Sequence, residues 1–282
     1  MVRGIYTGAT GMVAQMHRMD AVSNNLANVD VNGYKRDESV HKAFPEMLMR
    51  RMNDNGLYKF PFGSMETAPV VGKLGTGVEH NESYTIFTQG IMKQTNNPFD
   101  VALEDKGFLV VQTPQGERYT RNGSFTITKE GVLTTKYGFP VLGENGPITL
   151  KLHNFTIDSK GRIFQNADLA SDPERLVSME ENEWKSTELL DTLRVVNFDR
   201  PRYLKKEGNS FWYETPESGE ANRLEINARP NVRQGFLEGS NVNVVKEMVQ
   251  MIEINRAYEN NQKMIQTEEQ LLAKMINEAA KY

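Results

Sequence analysis

The sequence predicts an α+β fold in which a discontinuous, coiled-coil-like helical domain is formed by both chain ends and an all-β domain lies between them. Three observations predict this arrangement. Apolar residues recur every seven positions near the start of the chain and again near its end, whereas the middle alternates with a period of two between short turn segments. A heptad repeat is typical of an amphipathic helix, and alternation between turn residues is typical of short strands.

The first helix is predicted from apolar residues that share one face. These residues are Ile5, Met12, Met19 and Leu26, with Met16 four positions after Met12 on the same face. We expect this helix to stop in the run of turn formers that includes Asn28 and Gly33.

The second helix is predicted near the C-terminus from the same spacing. Its apolar face comprises Val244, Met251, Tyr258, Ile265 and Leu272, extended by Met248 and Ile276. Ser240 and Asn241 are the N-cap candidates, because both residue types accept hydrogen bonds from free helix amides. Polar partner positions at Asn255, Gln262 and Glu269 make this face mixed, which is typical of faces that specify register at some cost in stability.

The middle of the chain contains three predicted hairpins. They pair 108–113 with 117–121, 124–128 with 132–135, and 154–157 with 162–165. Each pair is separated by turn residues, as expected for antiparallel strands in an all-β domain. A short helical stretch is predicted near 173–176.

These patterns predict three kinds of segment. Residues 1–33 and 240–282 form the helical assembly domain, residues 34–77 and 231–239 an extended connector, and residues 78–230 the β domain. Within the connector, Met47, Leu48, Met49 and Met52 indicate a short helix. We further hypothesise that the terminal helices are weakly ordered in a free subunit, because amphipathic helices are marginal in water without packing partners.

Composition excludes several function classes. The chain of 282 residues carries 37 acidic and 33 basic residues, so no strong basic character favours nucleic acid as a partner. No apolar run reaches the length of a membrane-spanning helix, no secretory signal is recognisable, and the absence of cysteine excludes disulfides and thiolate sites. The four histidines lack metal-ligand spacing. Asp100, Glu104 and Asp105 cluster in sequence, but the alternation of apolar residues there places Asp100 and Glu104 on the outward side of a strand. We therefore expect no catalytic residue, no cofactor, no metal, no membrane insertion and no small-molecule substrate.

Specific strings then point to a family. Near the start, Ser23, Asn24, Asn25, Leu26, Ala27 and Asn28 precede Gly33, Tyr34 and Lys35. Near the end, Ser240, Asn241 and Val242 follow a Gly-Phe-Leu-Glu-Gly string that begins at Gly235. Together with matching strings in the middle, they resemble the bacterial flagellar rod and hook proteins. Within that family, the two chain ends resemble the proximal rod type (FlgF) more than the distal rod type (FlgG).

The resemblance implies a structural subunit of the flagellar basal-body rod, which transmits torque from motor to hook for motility. Its implied partners are further copies of itself, other rod and hook axial proteins, and the flagellar type III export apparatus. It also implies a place in the periplasmic part of the flagellum, reached without a cleaved signal peptide. Two alternatives stay open: a distal rod or hook-type subunit, and a monomeric module whose β domain binds a ligand. Spacing alone leaves it equally open whether the methionine-rich face fills one intramolecular core or joins separate molecules.

Overall fold

The computed structural model describes residues 2–50, 57–60, 63–66, 70–151, 154–166, 187–208, 210–226 and 229–279. A helix lies near each end and strands fill the region between them, which confirms the α+β class. The chain divides into two compact units. One comprises Met1–Asn24, Glu38–Ser83 and Val245–Tyr282, and the other comprises Asn25–Asp37 and Tyr84–Val244.

Two long helices account for the heptad patterns. Helix α1 spans Val2–Ala27 and helix α2 spans Val244–Ala279. Helix α1 ends just before Asn28, as the turn-forming residues predicted. Within the described ranges, neither helix is both long and apolar enough to cross a membrane.

The N-cap prediction for α2 is wrong, because the helix begins three residues after Asn241. The Ser240 hydroxyl accepts a hydrogen bond from the Val242 amide at 3.2 Å, within the loop before the helix. The Asn241 side chain is hydrogen-bonded to Arg36, Ile86 and Thr88 in the β-rich unit, so it does not cap the helix amides.

The helix-containing unit also includes the strands that follow α1 in sequence. These strands are β1 (Asp37–Ala43), β2 (Met47–Arg50), β3 (Leu57–Phe60), β4 (Gly63–Glu66), β5 (Val70–Leu74) and β6 (Val78–Thr85). They pair in three nested two-stranded sections, β1 with β6, β2 with β5 and β3 with β4. We call these three sections the ribbon.

The ribbon corrects the prediction of a short helix in this segment. Residues Met47–Arg50 are a strand that pairs antiparallel with β5, from Met47 opposite Leu74 to Arg50 opposite Val70. Backbone pairing with a distant strand overrides the local helix preference of Met and Leu. The fourth residue of that prediction, Met52, lies outside the described residues.

The other unit is built from short strands. They are β7 (Met92–Gln94), β8 (Val101–Glu104), β9 (Phe108–Thr113), β10 (Gly116–Thr120), β11 (Phe125–Ile127), β12 (Leu133–Thr135), β13 (Thr156–Ile157), β14 (Arg162–Asn166), β15 (Thr187–Thr192), β16 (Val195–Asn197), β17 (Lys205–Glu207), β18 (Phe211–Tyr213), β19 (Asn222–Arg223), β20 (Asn231–Gln234) and β21 (Phe236–Glu238). The largest sheet has six strands in the order β17-β18-β10-β9-β16-β19.

All three predicted hairpins are confirmed as antiparallel pairs. They are β9 with β10, β11 with β12, and β13 with β14. The first begins with Thr113 opposite Gly116, around a turn in which Gly116 adopts a positive φ of 116°. The predicted helical stretch near 173–176 lies outside the described residues.

Two apolar clusters form the core of this unit. The larger one packs side chains from β8, β9, β11, β12, β14 and β16, with Phe125 and Ile163 among the most buried. The smaller one surrounds Trp212, which meets Phe87 and Phe108 edge to face at centroid distances of 5.5 and 5.8 Å. Asp100 is buried rather than on the outward side of a strand, because β8 is covered on both faces.

Candidate assembly site

Glycines on α1 allow α2 to approach closely within the helix-containing unit. The three pairs are Gly4 with Glu268, Gly8 with Ile265, and Gly11 with Asn261. A Cβ at Gly8 would lie 2.9 Å from Ile265 Cγ1, which is closer than two carbon atoms normally approach. The two helices therefore touch where one of them has no side chain.

The apolar faces predicted on the two helices, here called the helix seam, are only partly covered. Nine of its members are half-buried: Ile5, Met12, Met19, Leu26, Val244, Met251, Tyr258, Ile265 and Leu272. Three members, Met16, Met248 and Ile276, are about half or more exposed, so they lie outside the half-buried face.

On α2, the residues buried beside the seam lie three residues after a seam position, whereas the predicted partner positions lie four residues after it. Glu247 and Ile254 are buried, whereas the predicted partner positions Asn255, Gln262 and Glu269 are exposed. A helix has 3.6 residues per turn, so positions three and four residues ahead flank the same face, and packing decides between them.

A second feature lies in the β-rich unit, where the family strings meet. The Lys35 ammonium lies 2.6 Å from Glu238 Oε1, and both side chains are fully buried. Arg121 Nη1 approaches the other carboxylate oxygen of Glu238 at 3.4 Å and is almost as buried. One carboxylate thus holds two cations inside the protein, a network here called the motif junction. Arg121 joins the junction from the segment directly after β10, and its position in the sequence does not predict this contact.

Backbone groups complete the motif junction. Lys35 Nζ donates to the Thr88 carbonyl at 2.7 Å, and the Gly90 amide donates to Glu238 Oε1 at 3.0 Å. Burial lowers the pKa of Lys35 and of Arg121, and the nearby Glu238 carboxylate opposes that shift in both. Removing Glu238 would leave two buried cations without their shared carboxylate, and removing Lys35 would leave that carboxylate with Arg121 alone.

A second hydrogen-bonded group surrounds Asn25 at the end of α1. The Tyr34 hydroxyl donates to Asn25 Oδ1 at 3.2 Å, and the Asp37 amide donates to the same oxygen at 2.8 Å. Asn25 Nδ2 donates to the Asp37 carbonyl at 2.9 Å. The side-chain amide therefore fixes the path of the chain as it leaves the helix.

Asn241 fixes the path of the chain before α2 in a similar way. Its Oδ1 accepts from the Arg36 amide at 2.8 Å, and its Nδ2 donates to the Ile86 carbonyl at 2.8 Å and to Thr88 Oγ1 at 3.0 Å. One side chain joins three segments that are distant in sequence.

Gly33 supplies a close backbone approach beside the motif junction. Its amide donates to the Glu238 carbonyl at 2.7 Å, and its φ of +70° lies in the left-handed region. A Cβ at this position would lie 2.5 Å from the Asn122 amide nitrogen. The position requires glycine for both reasons.

The remaining residues of the family strings are less enclosed. Ser23, Asn24 and Ala27 are exposed, Leu26, Ser240 and Val242 are half-buried, and Asn28 is buried. Of the family-string residues in these two segments, Lys35 and Glu238 are the ones that enter the motif junction.

The helix seam is made of packing contacts, and the motif junction is made of ion pairs and hydrogen bonds. Among the described residues, no group of three or more His, Cys, Asp or Glu side chains is arranged to hold a metal ion. Of the acidic residues considered for catalysis, Glu104 pairs with Arg233 at 3.0 Å. The arrangement can join distant chain segments and present apolar helix faces.

Three family profiles match the chain, in the order of its segments. Residues 5–35 match "Flagella basal body rod protein", residues 102–165 match "Flagellar hook protein FlgE/F/G D1 domain", and residues 233–278 match "Flagellar basal body rod FlgEFG protein C-terminal". The first and last of these contain the two halves of the motif junction, Lys35 and Glu238.

Full-length relatives extend this likeness. The chain is 35 % identical over 279 residues to the flagellar basal-body rod protein FlgG of Buchnera aphidicola subsp. Acyrthosiphon pisum, covering 98 % of this chain and 99 % of that protein. It is 32 % identical to the flagellar hook-basal body complex protein FlhO of Bacillus subtilis, covering 100 % of both. It is 31 % identical to the flagellar basal-body rod protein FlgF of Caulobacter vibrioides, covering 94 % of this chain and 93 % of that protein. Because both FlgG and FlgF relatives match, the preference for the FlgF type is not confirmed. The chain belongs to the flagellar basal-body rod family of structural axial proteins.

Proposed function

We propose that this protein is a rod subunit that polymerises through its terminal helices and transmits torque from the motor to the hook. The observation that carries the proposal is an apolar face that each helix leaves exposed. On α2, Val245, Met248, Val249 and Ile252 follow the i, i+3, i+4, i+7 spacing of one helix face and are 49–71 % exposed. An exposed apolar patch of this kind marks a protein-protein contact.

Helix α1 carries a corresponding face. Tyr6, Val13 and Met16 lie on one side of the helix and are 51–66 % exposed. We propose that 1–33 and 240–282 act as the assembly domain, with the half-buried seam packing within a subunit and the exposed faces packing between subunits. Head-to-tail contacts that do not close into a ring generate a helical polymer.

The ribbon supplies a third candidate contact between copies. The β2–β5 section exposes apolar side chains on both faces, because Leu48 alternates with Met47 and Met49, and Val71 with Val70. Two-stranded ribbons are marginally stable alone in water. We propose that this section is covered by a neighbouring copy in the rod, which also gives the predicted connector 34–77 its role.

Between the two rod positions, we favour the distal one. Relatives named FlgG reach 35 % identity, compared with 31 % for the relative named FlgF, which supports the distal type over the proximal type that the terminal strings favoured. The same proposal places the chain in the periplasmic part of the flagellum, after export by the flagellar type III apparatus without a cleaved signal.

The test is to locate the protein in isolated basal bodies. A small epitope inserted at the exposed Tyr137 turn, labelled with gold-conjugated antibody, should mark the hook-proximal half of the rod. Label at the motor-proximal end would assign the proximal position instead, and basal bodies without label would refute the rod assignment altogether.

One feature supports the alternative of a ligand-binding β domain. A cleft of about 460 Å³ is lined by Tyr137, Phe139 and Phe211 together with Arg118 and Glu207. This volume lies in the range of small-molecule sites. Two results together would favour this alternative. A strain that carries Phe211→Ser would build normal rods, and the purified variant would no longer bind a compound that the unmodified chain binds in the cleft.

A further inference from the structure

Three of the four histidines of the chain meet in the helix-containing unit, although they are widely separated in sequence. The His17 ring on α1 stacks on the His80 ring of β6, with centroids 4.5 Å apart and an angle of 22° between planes. The His41 ring of β1 lies 5.5 Å from the His80 ring. We call these three residues the histidine cluster.

Hydrogen bonds within the cluster suit neutral rings. Ser39 Oγ lies 2.9 Å from His41 Nε2 and 3.2 Å from His80 Nδ1. A hydroxyl has one proton, so it can donate to only one of the two ring nitrogens, and that nitrogen must be unprotonated to accept it. Two fully protonated rings would leave the hydroxyl proton without an acceptor in this pair of contacts.

The other nitrogen of His41 also resists protonation. His41 Nδ1 is buried and has no hydrogen-bond partner among the described residues. A proton on this nitrogen would place a charged N–H group in a buried position with no acceptor, which is unfavourable.

Of the charges around the cluster, the positive ones disfavour a further proton and the carboxylates favour it. Charged groups on the three elements are Arg18 and Asp20 on α1, Asp37, Glu38 and Lys42 on β1, and Glu79 and Glu82 on β6. Lys42 and Glu79 pair with each other at 3.0 Å. Burial lowers the pKa of His41, and the positive charges of His80, Arg18 and His17 lower it further.

The cluster sits where the base of the ribbon meets α1. A second contact lies two turns earlier on the helix, where the Val78 amide donates to Thr10 Oγ1 at 3.4 Å. A Cβ at Gly77 would lie 2.5 Å from the same hydroxyl, so the ribbon backbone approaches the helix closely there. The His17–His80 stack and the Thr10–Val78 hydrogen bond are thus two separate contacts between β6 and α1.

We propose that the histidine cluster is a pH-sensitive contact that holds the β1–β6 base of the ribbon on α1 at neutral pH and releases it in acid. The rings of His17 and His80 are stacked in nearly parallel planes, and the lone pairs of their nitrogens lie in those planes. This arrangement suits separate protons on the rings better than one shared metal ion. This proposal concerns the isolated chain and does not depend on the rod assignment.

The direction of the pH effect follows from the pKa of His41. Because that pKa is lower in the folded chain than the ordinary 6.5, the unfolded chain binds protons first as the pH falls. The stability contributed by the neutral ring is complete above about pH 6.5 and is lost as the pH falls through the folded pKa.

Hydrogen exchange on the purified full-length chain tests the proposal. Exchange is measured by mass spectrometry at about pH 7.5 and about pH 5.5, with a chelator present and with rates corrected for the intrinsic effect of pH. In the unmodified chain, peptides from 37–43 and 78–85 should lose about tenfold in protection in acid. His41→Asn and His80→Asn should lose less than about half of that, because asparagine does not titrate in this range.

Two further variants make the result decisive. His153→Asn, which removes the fourth histidine, should behave as the unmodified chain. Arg18→Gln removes an exposed cation that lowers the pKa of His41, so its loss of protection should be smaller. Unchanged protection in acid, or an equal loss in all variants, would overturn the proposal. If the asparagine variants are already unprotected at neutral pH, the test depends on Arg18→Gln. In that case, a loss of protection in Arg18→Gln equal to that in the unmodified chain would refute the proposal.

Discussion

Lys35 and Glu238 are 203 residues apart in sequence, yet their charged atoms lie 2.6 Å apart with both side chains fully buried. The first residue follows α1 and the second precedes α2. Their ion pair ties the two segments that carry the terminal helices to the same place in the β-rich unit. The segments that follow α1 and precede α2 are thereby held together inside the β-rich unit.

Replacing Lys35 by Met should destabilise the β-rich unit strongly. The substitution leaves the buried Glu238 carboxylate with only Arg121 as a charged partner, and breaking a buried pair in this way costs about 3–5 kcal/mol. Urea unfolding of the purified chain measures the loss. Lys73→Met is the control, because Lys73 pairs with Glu46 at the surface and its loss should cost less than about 1 kcal/mol. Equal losses in the two variants would contradict the importance of burial.

Gly33→Ala should destabilise the same unit by about 2 kcal/mol or more, since the new Cβ meets the Asn122 amide and the backbone has a positive φ. Gly138→Ala separates these two causes. Gly138 also has a positive φ, of 83°, but a Cβ there would meet nothing within 4 Å. Its cost should be about 1 kcal/mol, from the backbone alone. Thermal unfolding compares the two, and a Gly138 variant that is as damaging as the Gly33 variant would show that crowding is irrelevant.

Gly8→Ala should weaken the packing of α1 on α2. Alanine favours a helix by about 1 kcal/mol, but its methyl group would press on Ile265 Cγ1, and overpacking typically costs about 1–3 kcal/mol. Gly4→Ala is the matched control, because it meets only the movable end of the Glu268 side chain and should gain helix stability. Circular dichroism melts of the helical signal compare the two variants. A Gly8 variant that is stabilised as much as the Gly4 variant would contradict the close approach.

The two faces of α2 should respond differently to aspartate. Met251→Asp and Ile265→Asp lie on the half-buried seam, so each should lower helical stability and block rod assembly. Val249→Asp lies on the exposed face, so it should block assembly while the purified chain melts as before. Gln262→Asp, at an exposed polar position, should do neither. Motility of complemented cells and electron microscopy of basal bodies report assembly, and normal motility with Val249→Asp would argue against that face.

The sequence predicted those features that depend on local repeats. Both helices, all three hairpins and the stop of α1 after Ala27 follow from heptad spacing and turn residues. The Met47–Arg50 strand was predicted as a helix, because its pairing with Val70–Leu74 is set across a long gap in sequence and leaves no local signal.

The candidate sites were harder to predict, because their members come from distant segments. Lys35 stood out as part of a family string, but its contact with Glu238, and the role of Arg121, depend on the folded topology. The histidines at 17, 41 and 80 lack any motif spacing and meet only because the ribbon returns to α1. Gly8, which in isolation only weakens a helix, marks the closest approach of Ile265.

Disulfide crosslinking in isolated basal bodies tests the central claim, that exposed helix faces join one subunit to the next. The chain has no cysteine, so Val13→Cys and Val249→Cys introduced together add the only thiols. Mild oxidation should give a ladder of multimers in non-reducing gels of assembled rods. The control chain carries Lys129→Cys and Glu144→Cys instead, at exposed positions of the β-rich unit, and should stay monomeric. A ladder from the helix cysteines is the predicted result, and monomer alone from intact rods would contradict the account.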